Sequence, residues 1–431
     1  MLQTLTGAWK IPELRKKLIF TVMVLLVYCV VRAIPVPFMN VNIYDDMSLL
    51  MEDNILGLYN AMSGGALASA SILALGIQPY INASIIIQLL AVAIPALERL
   101  TKEGGEEGKK KIEKITRITT VVLGIVLGYA YYTMCRANNF LVDGTGWLEA
   151  VVIIVVFTAG SCFAMWLGEQ ITEHGIGNGI SMILFANIIA GLPQIFQTAS
   201  EIMGWWTILL AVILLLLVVF IVFINDAERR IPIQYAKRTV GRKVYGGQNT
   251  NLPIKVAMSG VMPVIFAQSI VSIGGTVMQF IANSKGDRAA AEAYLEGSWL
   301  YQHIFSAQSV VYAVLYFLLI FFFSWFYSTI QYDPNEISKN LQKNGGFIPG
   351  FRAGKPTATF IKKVIGKILI FGAVYLAIVA LMPVVAGIVW EEAVNLAIGG
   401  TSIIIVVGVA LETVKAIEAQ MMMRHYKGFL D

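Results

Sequence analysis

The sequence predicts an all-α membrane protein with ten transmembrane helices in two inverted five-helix halves and a re-entrant helix between the first two spans. Three observations lead there: an apolar composition, ten apolar runs of bilayer length, and short motifs that recur in corresponding spans. Of 431 residues, 57% are hydrophobic and 14% charged, where ordinary soluble domains carry about 25% charged residues. The mean hydropathy is +0.71. A soluble chain of this length needs a charged surface that 32 Lys and Arg with 27 Asp and Glu cover thinly, so most of the surface is expected to face lipid. A soluble enzyme is excluded on the same ground.

Apolar runs of about 17–25 residues cross a bilayer as helices. They lie near 18–37, 75–97, 118–137, 148–168, 180–199, 205–224, 256–282, 309–330, 367–389 and 394–413. An even count puts both termini on one side. The first run follows Arg15, Lys16 and Lys17 and has no small-residue cleavage site before Pro35 and Pro37, so it reads as a retained helix rather than a signal peptide. Of the 32 Lys and Arg, 28 fall on the side of the termini, and Arg32, Arg136, Lys285 and Arg288 on the other. That bias makes the terminal side cytoplasmic. Topology marking accounts for the short basic loops but not for the length of those at 225–255 and 331–366, which are therefore candidate docking surfaces. Lys109, Lys110 and Lys111 sit among Glu103, Glu106, Glu107 and Glu113 and read as a solvated turn.

Five spans per half is an odd number, which forces residues 1–200 and 201–431 into opposite orientations, the origin of inverted repeats. Span two carries Gly76-Ile77-Gln78-Pro79-Tyr80-Ile81-Asn82-Ala83, and span seven carries Gly260-Val261-Met262-Pro263-Val264-Ile265-Phe266-Ala267. Span five runs Ser181-Met182-Ile183-Leu184 after a glycine cluster, and span ten runs Ser402-Ile403-Ile404-Ile405 after Gly399-Gly400-Thr401.

Between the helix ends the polar residues are neutral, among them Asn82, Gln88, Asn187 and Gln268, while Arg32, Arg136, Glu149 and Glu412 lie at boundaries. Ion-coupled transporters generally need an intramembrane carboxylate, histidine or lysine. A passive conduit closed by a hydrophobic constriction needs none. Ile77 with Ile81 and Ile180 with Leu184, each four apart on a helix face, are candidates for that constriction, although helix packing and lipid contact account for most isoleucines here. Residues 57–73 are too polar to span and too rich in small apolar residues for an ordinary exterior loop. A re-entrant helix against a central space fits them, as does an interfacial helix on the outer surface. Gly175-Ile176-Gly177-Asn178-Gly179 follows a span instead of a strand and lacks the Lys-Ser/Thr of a phosphate loop. Three cysteines inside apolar runs and three scattered histidines offer no metal spacing. No catalytic, metal or cofactor site is expected.

Ala74-Leu75-Gly76-Ile77-Gln78-Pro79-Tyr80-Ile81-Asn82-Ala83-Ser84-Ile85-Ile86-Ile87-Gln88-Leu89-Leu90, Gly168-Glu169-Gln170-Ile171-Thr172-Glu173-His174-Gly175-Ile176-Gly177-Asn178-Gly179-Ile180-Ser181 and Phe347-Ile348-Pro349-Gly350-Phe351-Arg352 together resemble the SecY family of bacterial protein-translocation channel subunits. The resemblance extends over essentially the whole chain. It implies a clam-shell of two inverted halves, an hourglass pore with a plug, and a lateral gate between spans two and seven. It also implies SecE and SecG as membrane partners, the SecA ATPase and translating ribosomes with their RNA as cytosolic ones, and secretory and membrane polypeptides as substrates in the bacterial cytoplasmic membrane. By motif position the pore ring falls on Ile77, Ile81, Ile180, Leu184, Ile265 and Ile405. The plug resembles residues 57–71, centred on Ala61, Met62, Ser63, Gly64, Gly65, Ala66, Leu67, Ala68, Ser69 and Ala70. Ser84, Gln88 and Gln268 fall at the lateral gate, and Arg238, Arg242, Lys243, Arg352 and Lys355 on the docking loops. Three positions depart from the family's commoner residues: Leu184 for isoleucine, Ala353 for proline and His174 for arginine.

The sequence therefore reads as a non-enzymatic protein-conducting channel that also releases apolar segments sideways into lipid. A solute transporter is opposed by the uncharged interior, and a ribosome-anchoring scaffold would conduct no ions even without its plug.

Overall fold

In a computed structural model, the described residues are 2–40, 60, 63–102, 104–138, 140–142, 146–235, 238–240, 243–245, 249–258, 260–283, 293–295, 297–306, 309–389 and 400–427. Each of the ten apolar runs falls on a helix. After a short α1 (Leu2–Lys10) come α2 (Pro12–Arg32), α3 (Gln78–Ala93), α4 (Pro95–Lys102), α5 (Gly105–Ala137), α6 (Trp147–His174), α7 (Gly179–Met203) and α8 (Trp206–Asp226). Strands β1 (Glu228–Tyr235), β2 (Arg238–Val240), β3 (Lys243–Tyr245) and β4 (Asn249–Lys255) follow, then α9 (Met262–Asn283), α10 (Val310–Gln331), α11 (Pro334–Lys343), β5 (Gly346–Phe347), α12 (Lys355–Val389) and α13 (Gly400–Lys427). Among the described residues six helices are long and apolar enough to cross a membrane, or seven if α3 and α4 form one bent span.

Hydropathy located these helices better than it bounded them. The run at 75–97 is broken at Ile94, where α4 turns away from α3 by 107°. Pro95 is the cause: the residue before a proline is driven out of the helical region, and Ile94 is extended at φ −107°, ψ 114°. Conversely α5, α12 and α13 run well beyond their apolar stretches, because Glu and Lys are good helix formers that water tolerates. Lys109 to Lys111 accordingly lie in the first turns of α5, not in a turn, and Lys109 pairs with Glu106 at 3.3 Å. Residues 394–399 of the tenth run lie outside the described residues.

The chain forms two compact units, the first made of residues 1–207, 268–313 and 383–431, the second of 208–267 and 314–382. In the first, α5 packs on α3 and α6, α6 on α2 and α7, α7 on α13, and α1 on α2 and α13. Gly124 and Gly128, four apart on α5, bring its backbone against α6: a Cβ on Gly124 would stand 3.2 Å from Thr158, and one on Gly128 would stand 3.4 Å from the Ile154 carbonyl oxygen. Small residues at this spacing let membrane helices approach closely.

The second unit holds the strands. The two long loops predicted as docking surfaces fold together: β4, β1 and β5 form one antiparallel sheet, with Ile231 opposite Leu252 and Gln234 opposite Phe347. Ile231 and Ile233 alternate with exposed neighbours along β1 and pack into a core with Ile254, Met258, Leu341, Ile348, Ile361, Ile365 and Leu369. These strands add to the all-α architecture a feature that a search for membrane-length runs does not see.

Candidate functional site

The segment expected to be the plug is seated in the first unit. Ala61 and Met62 lie outside the described residues; Ser63, Gly64, Ala66, Leu67, Ala68 and Ala70 are buried, and Gly65 and Ser69 partly so. Its local form is a chain of tight turns over residues 64–70, where a regular helix was expected. Three left-handed residues cause the difference: Gly64 (φ 68°), Gly65 (φ 88°) and Ala70 (φ 43°) interrupt any helix. Asn60 organises the turns, its carbonyl oxygen accepting from Gly65 N (2.8 Å) and Ser63 Oγ (2.9 Å) and its Oδ1 from Ala68 N (2.9 Å). The segment leaves through an isolated antiparallel bridge between Ser71 and Pro35, flanked by Val36 N to Ala70 O at 3.0 Å and Ile72 N to Ile34 O at 2.9 Å.

What holds it is a cluster at the end of α5 and the start of α6. Leu67, Ala68 and Ala70 pack with Tyr131, Tyr132, Met134, Cys135, Ile153 and Phe157. Tyr131 lies edge-on to Phe157, ring centroids 4.9 Å apart, and its hydroxyl donates to the Leu67 carbonyl oxygen. Gly160 sits where α6 touches the segment's exit, since a Cβ there would overlap the Ile72 carbonyl oxygen. Sequence reasoning passed over Tyr131 and Gly160; an aromatic at a helix end and a glycine within a span are too common to signal themselves.

Of the expected ring, Ile77, Ile81, Leu184 and Ile405 are buried in the first unit and Ile180 is half-buried there; Ile265, in the second, is also buried. Ile77 and Ile180 both approach Gly168, whose absent Cβ would lie 3.5 Å from Ile77 Cδ1 and 3.3 Å from Ile180 Cγ1. The loop that places Ile180 is built by the glycine motif. Gly177 is left-handed (φ 76°), Gly179 leaves no room for a Cβ against the Gly168 carbonyl oxygen, and Asn178 caps α7 by accepting from Ile180 N (3.0 Å) and Ser181 N (3.3 Å). The motif therefore makes a tight helix hairpin. On the neighbouring α13, Thr413 Oγ1 donates to Met182 Sδ at 3.4 Å, so the two helices of the second sequence repeat face each other.

The first repeat is visible in the backbone. Gly76 (φ 51°) and Gly260 (φ 58°) are both left-handed, each amide donating to the carbonyl three residues back, Leu73 at 2.8 Å and Ala257 at 3.2 Å. In both copies the next two helical amides share one acceptor: Tyr80 and Ile81 donate to Ile77 O, Val264 and Ile265 to Val261 O. Of the expected gate residues, Gln88 is exposed and donates to Ser84 Oγ (3.0 Å), and Gln268 is buried and donates to Ser272 Oγ (3.4 Å).

The tip after β5 is fixed at four points. Ile348 enters the core of the second unit, Phe351 lies over Phe360 with centroids 4.3 Å apart, Thr357 Oγ1 donates to Arg352 O (2.8 Å), and Ser338 Oγ donates to Gly354 O (2.8 Å). Gly350 (φ 86°) and Gly354 (φ 100°) make the reversals. Arg352 and Lys355 are left exposed, and no hydrogen-bond or ion-pair partner of the Arg352 guanidinium occurs among the described residues. Ala353 thus needs no proline ring to hold its shape. Arg238 and Lys243 stand on the hairpin β2–β3, opposite Tyr245 and Val240; Arg242 lies outside the described residues.

The profile of the SecY family matches residues 71–414. The chain belongs to the SecY family. It is 42% identical over 451 residues to the protein translocase subunit SecY of Streptomyces galbus and 40% identical over 443 residues to that of Thermotoga maritima, covering 100% of this chain and at least 98% of each relative. Among solved structures it resembles a protein-conducting channel, with a TM-score of 0.64 at 16% identity over 96% of both chains. It also resembles Sec61 of a canine ribosome-channel complex, with a TM-score of 0.59 over 96% of both chains. At such identity these likenesses concern the fold. Membership and the apolar helices make this a multi-pass membrane protein of a channel-subunit family.

Proposed function

We propose that this SecY-family chain is the pore-forming subunit of a protein-conducting channel in the bacterial cytoplasmic membrane, passing unfolded secretory polypeptides across it and releasing apolar segments into lipid. The observation that supports the reading is the segment at residues 63–70: small residues folded into tight turns, packed against the apolar helices α5 and α6 and docked through the Leu67 carbonyl on Tyr131. Irregular backbone at membrane depth is tolerated only where it is buried in protein or lines a cavity. Residues 1–200 and 201–431 act as inverted halves, supported by the matched turns at Gly76 and Gly260, with both termini cytoplasmic. Ile77, Ile81, Ile180, Leu184, Ile265 and Ile405 form the constriction, and Ser84, Gln88 and Gln268 lie along the lateral exit. SecE and SecG complete the membrane assembly. SecA or a translating ribosome supplies the driving force at Arg352, Lys355, Arg238, Arg242 and Lys243; the name of the canine Sec61 relative, found in a ribosome-channel complex, supports the latter.

The test is ATP-dependent entry of a secretory precursor into proteoliposomes holding this chain with the two small subunits and the motor. Protease-protected precursor is expected. Solute-stimulated flux in liposomes containing this chain alone, with no precursor entry, would replace the channel with a transporter.

A further inference from the structure

Arg32 ends α2, and its guanidinium is wedged beneath the plug at Gly64. A Cβ on Gly64 would overlap Nη1 of Arg32 and lie 3.2 Å from its Cζ and 3.0 Å from the Asn187 carbonyl oxygen. Nη1 is buried and has no hydrogen-bond partner among the described residues, although the side chain as a whole is only half-buried. Below it, Asn187 Nδ2 donates to the Tyr28 hydroxyl oxygen at 3.0 Å, both residues buried, so the floor of the seat is fixed. One edge of a permanent cation is therefore buried at Gly64 without an acceptor among the described residues.

A buried donor that loses water and gains no partner is penalised, more so when it is charged. Here the penalty exists only while the plug covers Nη1. When the plug leaves, water reaches the guanidinium and the penalty vanishes. The opposing terms are modest: the Tyr131 bond to Leu67, the Asn60 turn and the burial of mostly alanine-sized side chains.

We infer that Arg32 is a spring under the plug: a positioning residue that destabilises the closed seat and thereby sets how often the resting channel opens. The inference rests on the channel reading above. It runs against the usual outcome of removing a buried contact, because here replacement by an apolar chain of similar length makes the closed state more stable.

Two glycines isolate the contact. Gly64 and Gly65 are both left-handed, so alanine at either strains the backbone, but only at Gly64 does the new methyl meet Arg32; at Gly65 nothing lies within 4 Å. Gly64→Ala should therefore open the channel more than Gly65→Ala, and Arg32→Ala should bring Gly64→Ala down toward the Gly65→Ala level, the remaining difference being the new methyl's contact with the Asn187 carbonyl oxygen. Arg32→Met alone should lower opening by about tenfold, the effect of one buried unpaired donor, and Arg32→Gln should act in the same direction. Removing a cation opposite the basic termini strengthens the topology signal, so these variants should insert correctly.

The experiment uses the whole translocase with its partner subunits and two readouts. One is ion conductance across planar bilayers. The other is alkylation of native Cys135, which is fully buried in the cluster with Leu67, Ala68 and Ala70, by a membrane-impermeant maleimide after Cys29→Ala and Cys162→Ala. Deleting residues 63–70 sets the ceiling for both. If that deletion exposes Cys135 without conducting, the channel reading fails, while the alkylation rates still decide the role of Arg32. Slower alkylation in Arg32→Met and the Gly64 over Gly65 ranking support the spring. Faster alkylation in Arg32→Met would make Arg32 a clamp, and equal rates for Gly64→Ala and Gly65→Ala with no effect of Arg32 would make it a bystander; either result overturns the inference.

Discussion

The Tyr131 hydroxyl donates a hydrogen bond to the main-chain oxygen of Leu67, so the end of α5 holds the proposed plug by its backbone as well as by the packing of Leu67, Ala68 and Ala70. Tyr131→Phe keeps the ring against Phe157 and removes only that bond, leaving the Leu67 carbonyl buried without it. The expected cost is about 1 kcal/mol or somewhat more, which raises the open fraction about fivefold. Resting ion conductance measures it, and no change in Tyr131→Phe would mean the plug is held by apolar contact alone.

The second prediction concerns the constriction. Ile81 and Ile405 are buried, and the interior of the spans carries no charge to repel ions. A hydrophobic gate works only while its lining is dry. Ile81→Asn or Ile405→Asn should wet it, raising resting conductance and letting precursors with defective signal sequences through. Wild-type conductance in both single variants and in their combination would take these residues out of the gate.

How far the sequence could carry this picture depends on the range of the interaction involved. The repeat at Gly76 and Gly260 was legible because it is written in eight consecutive residues, and the left-handed turn the two glycines share is its local structural form. The site of every apolar helix was legible for the same reason. The break at Pro95 was equally local, but averaging hydropathy over the run at 75–97 concealed it. The partnership of β1 with β5 was not legible: Gln234 meets Phe347 across more than a hundred residues, and only the Ile231 and Ile233 alternation hinted at a strand. Nor was Arg32 under Gly64, since it depends on how the first span meets a turn that no periodicity describes.

The helix hairpin between α6 and α7 gives a prediction about stability. Gly179 has no space for a methyl group against the Gly168 carbonyl oxygen, and 3.3 Å separates a Cβ on Gly168 from Ile180. Gly179→Ala should push the hairpin open and lower the thermal stability of the purified protein by several degrees. Gly191→Ala, on the same helix with nothing within 4 Å of the new methyl, should be neutral or slightly stabilising, as alanine is the better helix former. Equal melting temperatures for the two variants would show that the glycine motif does not set the hairpin.

Arg352 offers a separable test of docking. Its backbone is tethered by Thr357 and its neighbours Phe351 and Gly354 by Phe360 and Ser338, so the guanidinium is presented from a fixed base with its donors unengaged. Arginine offers a planar fork to carboxylate or phosphate that lysine cannot reproduce. A residue that only marks topology would be replaceable by lysine, whereas a docking residue would not. Arg352→Glu should abolish motor-driven entry of a secretory precursor into proteoliposomes, and Arg352→Lys should slow it measurably, with resting conductance unchanged in both because the proposed constriction residues are on other elements. Thr357→Val, which frees the tip while keeping the charge, should fall between Arg352→Lys and wild type. Full transport in Arg352→Glu would remove this residue from the docking surface and leave Arg238, Lys243 and Lys355 as the positions to test.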